Sequence, residues 1–253
     1  MSAPGCQRNH PFDTVGVSAG AVVVIDARSS SHLLAGFQHP MRESSRIVVG
    51  VDVGGVKKGF HAVALHEGTF AGKRSSCDAG VIVQWCRSMD ASVVAVDAPC
   101  AWSLTGRRRS CERELAGIDI QAFATPSVAI GQRNLFYGWM LNGAELFRLL
   151  AKGYQRYNGQ HSVLQRPLCF ETFPHAIACA LAGRTLSAKN KRVDRRRLLN
   201  QAGIATDVLR NIDEVDAALC AAAAHQFLSG RFKQYGDEGE GYIIVPNARL
   251  HLS

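Results

Sequence analysis

The stretch "RIVVGVDVGG", residues 46–55, decides how the rest of the chain is read. Its β-branched run favours a strand buried on both faces. Asp52 stands near the end of that run, and Gly54 and Gly55 follow at once. A carboxylate on a buried strand costs free energy unless a partner offsets it. Either Asp52 holds something or it is badly placed.

The neighbouring segments settle into a pattern. "GVKK" (55–58) reads as a turn, and "GFHAVALHEG" (59–68) and "TFAGKRSSC" (69–77) as two more strands, giving an antiparallel three-strand meander. "AGVIVQWCRSMD" (79–90) has helical spacing, and "SVVAVDAP" (92–99) is a buried strand stopped by Pro99. Helices are expected over 106–118 and 137–154, and a short strand over "PLCFETFP" (167–174). "PHAIACALAG" (174–183) and "KRVDRRRLLNQAG" (191–203) are helical and end in glycine, a common C-cap. "IDEVDAALCAAAAHQFLSG" (212–230) is the clearest helix, and "GYIIVP" (241–246) closes with a strand. A meander followed by strand–helix alternation predicts an α/β fold, a mixed sheet with helices on its faces.

Residues 1–45 are rich in Ser, Gly, Pro, His and Arg and lack a clear period, so a poorly ordered extension is expected there, with the domain over 46–253. Met41 is an alternative start. The 253 residues suit one generous domain with appendages, and 47% hydrophobic content is globular. The net charge of +8 suits a polyanionic partner such as nucleic acid, or simply a solvated basic surface. The eight cysteines form no C-x-x-C pair, which argues against zinc and for a reducing, cytoplasmic compartment. No apolar run approaches the ~20 residues that span a bilayer, and the N-terminus has no secretory pattern.

Acids occur where propensity would not put them. Asp52, Asp97 and Glu171 each end a strand, and Asp213 and Asp216 open the last long helix on one face. In open α/β sheets function gathers at the carboxyl ends of strands. Converged carboxylates repel and need a counter-charge, which Mg²⁺ or Mn²⁺ supplies with oxygen ligands alone. Two such ions ~4 Å apart activate an attacking water and stabilise the leaving oxygen of a phosphodiester. Each acid also has a structural reading. Asp213 can serve the helix dipole, Asp97 can cap a turn, and Glu171 can pair with an arginine. Asp52 is the hardest to explain this way.

These residues carry a family resemblance. "GVDVGGVKKGFHAVAL", "VVAVDAP", "RRRSCERELAGI", "FETFPHA", "RVDRRRLL", "DEVDAALCAAAA" and "DEGEGYIIVP" occur in the order found in domain of unknown function 429, a family of predicted nucleases of RNase H-like fold. The likeness runs from about Arg46 to about Pro246. The chain is also distantly similar to Holliday-junction resolvases of the RNase H superfamily, where the first strand, the fourth strand and a D-x-x-D-A helix supply acids. Asp52 and Asp97 resemble the first two, and Asp213 and Asp216 the third. The resemblance implies a metal-dependent nuclease with these four as ligands; Glu171 looks particular to the family.

Two basic clusters can clamp phosphates. Arg107, Arg108, Arg109 and Arg113 follow the Asp97 strand; Lys189, Lys191, Arg192, Arg195, Arg196 and Arg197 precede the last helix. Trp102, Phe136, Tyr137 and Trp139 can stack on bases or pack in a core. Two rival readings remain. "DVGGVKKG" superficially matches the phosphate hairpin of actin-like and sugar-kinase-like ATPases and phosphotransferases, but those folds need two such domains and this chain supplies one. The other is a catalytically inactive nucleic-acid-binding module.

Overall fold

The computed structural model describes residues 47–160 and 166–247. The extension expected over 1–45, including Met41, lies outside the described residues.

Strands β1 (Ile47–Val53), β2 (Phe60–His66) and β3 (Thr69–Ser76) form the expected antiparallel meander. Between β1 and β2 the amide of Gly54 donates to the carbonyl of Gly59 at 2.7 Å. Helix α1 (Ala79–Ser88) begins at Asp78, whose carboxylate accepts from the amide of Gly80 at 2.7 Å. Strand β4 (Val93–Asp97) then lies parallel to β1. There follow α2 (Ser110–Ala116), α3 (Val128–Arg133), α4 (Gly138–Leu150), β5 (Gln155–Arg156), β6 (Leu168–Glu171), α5 (Pro174–Ala182), α6 (Lys191–Gln201), α7 (Ile212–Leu228), β7 (Phe232–Asp237) and β8 (Gly241–Pro246). The sheet order is β3-β2-β1-β4-β6-β8-β7, with β5 paired to β6. Strands β1, β4, β6 and β8 run parallel, while β2 and β7 are antiparallel to their neighbours. This is the mixed parallel and antiparallel sheet expected from the segment order.

Alternation along β1 divides the core in two. Val49, Val51 and Val53 pack with α1 and α4 on one face. Val48 joins α2, α5, α6 and α7 on the other, together with Val93 and Ala95 of β4. By the same alternation Gly50, Asp52 and Asp97 point to the α7 face. Gly50 has a packing role there: a Cβ at this position would lie 2.0 Å from the amide nitrogen of Ala221 and 2.1 Å from the carbonyl oxygen of Ala217. Helix α7 therefore touches the backbone of β1, and the alanine run from Ala221 to Ala224, fully or almost fully buried, is what a helix so close to a sheet requires.

One expected boundary needs correction, and three elements, α3, β5 and β7, have no counterpart in the sequence reading. The helix expected over 106–118 starts only at Ser110, because Arg109 is its N-cap: the Arg109 amide donates to the Glu112 carboxylate at 3.1 Å. Strand β7 was not foreseen. As an edge strand it is half-exposed along most of its length and carries no period-2 apolar signal. Helix α3 was also missed, being one short turn and a half in a loop-like stretch. Among the described residues no helix is long and apolar enough to cross a membrane.

Candidate active site

Asp52 and Asp97 are register partners on adjacent parallel strands, so their Cα atoms are about 5 Å apart and their side chains share a face. Asp97 is the last residue of β4, and Pro99 prevents the strand from continuing. Helix α7 brings the other two aspartates. Its N-cap, Asn211, accepts from the amide of Glu214 at 2.8 Å, which fixes where the helix begins. The contact of Ala217 with Gly50 then sets the alignment. Asp213 lies one turn before Ala217, about 6 Å along the helix, and Asp52 two residues beyond Gly50, about 7 Å along the strand. Asp52, Asp97, Glu171, Asp213 and Asp216 all line one cavity of about 360 Å³, together with Lys58 and Lys191. The structure thus brings together every acid singled out from the sequence.

Their charges interact. Asp52 is 9% exposed, and burial first, then the charges of Asp216 and Asp213, raise its carboxyl from the ordinary range to about 8, with Lys58 and Arg195 pulling the other way. Asp97, at the end of its strand, is half-buried. Its carboxyl is pushed well up, by burial and by Asp52 and Asp216. Asp216 is raised less, because Arg195 pairs with it directly. Asp213 pairs with Lys58 at 3.1 Å and faces His61 at 3.9 Å. Lys58 and Arg195 therefore engage the two helix aspartates. Among the described residues no ion pair reaches Asp52 or Asp97.

Glu171 has the opposite surroundings. Its two oxygens accept from both terminal nitrogens of Arg109, at 2.5 and 2.8 Å, and one of them also accepts from the amide of Cys100 at 2.8 Å. Arg109 further donates to Glu112, which holds the amide of Thr125 at 3.1 Å. This buried network ties the loop after β4 to α2 and β6. Glu171 lines the cavity, but its charge is neutralised within the protein. Glu112 and Glu240 were not singled out from the sequence. Glu240 accepts from the amides of Leu104 and Ser110 at 2.9 and 3.2 Å, and such backbone-holding acids have no motif of their own.

The basic clusters divide. Arg109 and Arg195 are almost wholly buried, each committed to a carboxylate. In this arrangement neither is the exposed phosphate clamp expected of it. Arg196 donates to the carbonyls of Thr206 and Leu209 at 2.6 and 2.9 Å, which shapes the loop before α7. Arg197, half-exposed, pairs with Asp194 at 3.6 Å. Arg107, Arg108 and Arg113 are exposed; Arg108 donates to Gln121 and Arg113 to the carbonyl of Arg108. Lys58, read from the sequence as a turn residue, is a further cation at the cavity. Trp102 is packed under α3, where Gly131 leaves room for its ring.

The donor set fits a hard divalent cation in part. Asp52 and Asp97 offer oxygen alone, and their carboxyls are raised by burial and by the neighbouring aspartates. Asp213 and Asp216 are already neutralised by protein cations. Among the described residues no three His, Cys, Asp or Glu side chains are arranged to hold an ion between them.

No curated protein matches the chain. It is similar to the solved structure of Thermus thermophilus RuvC at 13% identity and a TM-score of 0.40, over 73% of this chain and 96% of that one. The model of the family described as protein of unknown function (DUF429) matches residues 50–240. The chain belongs to that family, the one its ordered motifs resemble.

Proposed function

We propose that the protein is a divalent-cation-dependent nuclease hydrolysing phosphodiester bonds at the Asp52–Asp97 end of the sheet. The observation that carries this reading is the register pairing of two carboxylates, Asp52 buried and Asp97 half-buried, that make no ion pair among the described residues and line a cavity that Lys58 and Lys191 also line. Asp52 and Asp97 would hold the cation. Asp213 and Asp216 join them, and a second ion becomes possible, only if they exchange Lys58 and Arg195. A divalent cation, when bound, supplies positive charge to phosphate oxygens and acidifies water. Lys58 and Lys191 meet the incoming phosphate charge, and exposed Arg107, Arg108 and Arg113 extend the positive surface. Glu171 and Arg109 hold the cavity wall in shape and take no part in the chemistry.

The test is a cleavage panel of single-stranded, duplex, branched and RNA-hybrid substrates with Mg²⁺ or Mn²⁺, run against Asp52→Asn. Cleavage by the wild type, lost in the variant with binding retained, is expected. ATP turnover abolished by Asp52→Asn, with no oligonucleotide cleaved under either metal, would transfer the protein to the ATPase reading.

A further inference from the structure

The segment between α2 and α3 and the turn before α4 leave aromatic rings in solvent beside the acid cavity. Phe123 is 62% exposed and Phe136 58%. They are not scattered. The ring centroids of Phe123 lie 6.1 Å from those of both Phe136 and Trp139, and Phe136 lies 5.1 Å from Tyr137, all in edge-to-face contact. Phe123 and Trp139 belong to the cavity wall itself. Trp139 is anchored from behind, packed against the core that β1 shares with α1 and α4. Such rings, held by one another and by the core, lose little further freedom when a ligand covers them.

An exposed apolar patch of this kind marks a contact surface. What surrounds it selects the occupant. The patch is continuous with a cavity whose chemistry suits phosphodiesters. Arg108 is held to Gln121, two residues before Phe123. Lys58 lines the same cavity with its side chain 64% exposed. Aromatic rings flanked by cations recognise single-stranded nucleic acid, bases on the rings and phosphates on the charges. In a duplex the base faces are occupied by their neighbours and unavailable to the rings.

We infer that Phe123, Phe136 and Trp139 form a stacking platform for unpaired nucleobases, so that the substrate presents a single-stranded segment at the acid cavity. This rests on the nuclease reading for its substrate class, but binding can be read without cleavage.

The experiment is fluorescence anisotropy in EDTA with three labelled probes of equal length: a mixed-sequence single strand, the same strand fully paired, and an abasic single strand that keeps the phosphates. The single strand is expected to bind about tenfold more tightly than the abasic one for each base stacked. Phe123→Ala with Phe136→Ala should cut that difference to what Trp139 alone supports and leave the salt dependence unchanged, since phosphate contacts set the latter. Both rings are largely exposed, so the truncations should fold. Phe123→Tyr should restore the preference. Equal binding of normal and abasic strands, or of wild type and the double alanine variant, would overturn the platform. So would a double variant that binds strands normally but loses self-association in sedimentation, which would make the patch, with fully exposed Leu135, a protein interface. Base-dependent binding without cleavage under any divalent ion leaves the platform and removes the nuclease. Cleavage with equal normal and abasic binding does the reverse.

Discussion

Glu171 and the Asp52–Asp97 pair stand at the same end of one sheet, on neighbouring parallel strands, and line the same cavity. Their electrostatic fates differ. Glu171 receives a guanidinium from Arg109, almost wholly buried, and an amide from Cys100. Asp52 and Asp97 receive no ion-pair partner among the described residues, and burial together with the neighbouring aspartates raises their carboxyls. A strand-end acid that comes with its own cation is part of the frame; on the proposed reading, a strand-end pair without one is where a cation from outside would bind. Position on the fold does not separate these roles, and counter-charge does.

The sharpest way to break the contrast is to remove Arg109. Arg109→Ala leaves Glu171 and Glu112 buried and unpaired, so a loss of about 3–5 kcal/mol is expected, seen as a fall in Tm of about 10 °C. A variant as stable as the wild type would show that the network is not structural. Removing charge from the other side should act in the opposite sense. Asp52→Asn relieves burial and repulsion, so the metal-free protein should gain stability. The folded protein holds a proton on Asp52 up to about pH 8, whereas the unfolded chain releases it near pH 4. Wild-type stability therefore falls as pH rises from about 4 to 8, with the full cost present above that window. The gain from Asn should be absent near pH 4 and greatest above pH 8, as denaturant melts at several pH values would report. A variant that unfolds instead would make Asp52 structural.

Much of this was open to inspection in the sequence. The β-branched run ending in Asp52, the Pro99 stop after Asp97 and the alanine-rich helix behind Asp213 and Asp216 are local signals, and each led to the right element. Gly50 was equally visible, but its meaning depends on α7, more than 150 residues away. The pairings were not legible for the same reason. Glu171 meets Arg109 across 62 positions and Asp213 meets Lys58 across 155, and no period or spacing encodes such contacts. Arg109 and Arg195 therefore read as part of exposed basic runs until the fold buried them. Phe123, in an irregular stretch, gave no signal at all.

Smaller effects sharpen the comparison further. Mg²⁺ or Mn²⁺ at 100 times its dissociation constant should stabilise the wild type by about 2.7 kcal/mol, and Asp97→Asn should blunt this. Glu171→Gln should lower the baseline Tm yet keep the metal-induced rise. Smallest is the exposed pair of Lys58 and Asp213. Lys58→Ala should change stability by less than about 1 kcal/mol, and the change should shrink in high salt.

The central claim is that Asp52 and Asp97 together hold a divalent cation and Glu171 does not. Calorimetric titration of Mn²⁺ into the wild type, Asp52→Asn, Asp97→Asn and Glu171→Gln tests it directly. The account predicts binding to the wild type and to Glu171→Gln, and its loss in both aspartate variants. Mn²⁺ binding unchanged in Asp52→Asn and Asp97→Asn, or no binding to the wild type, would contradict it.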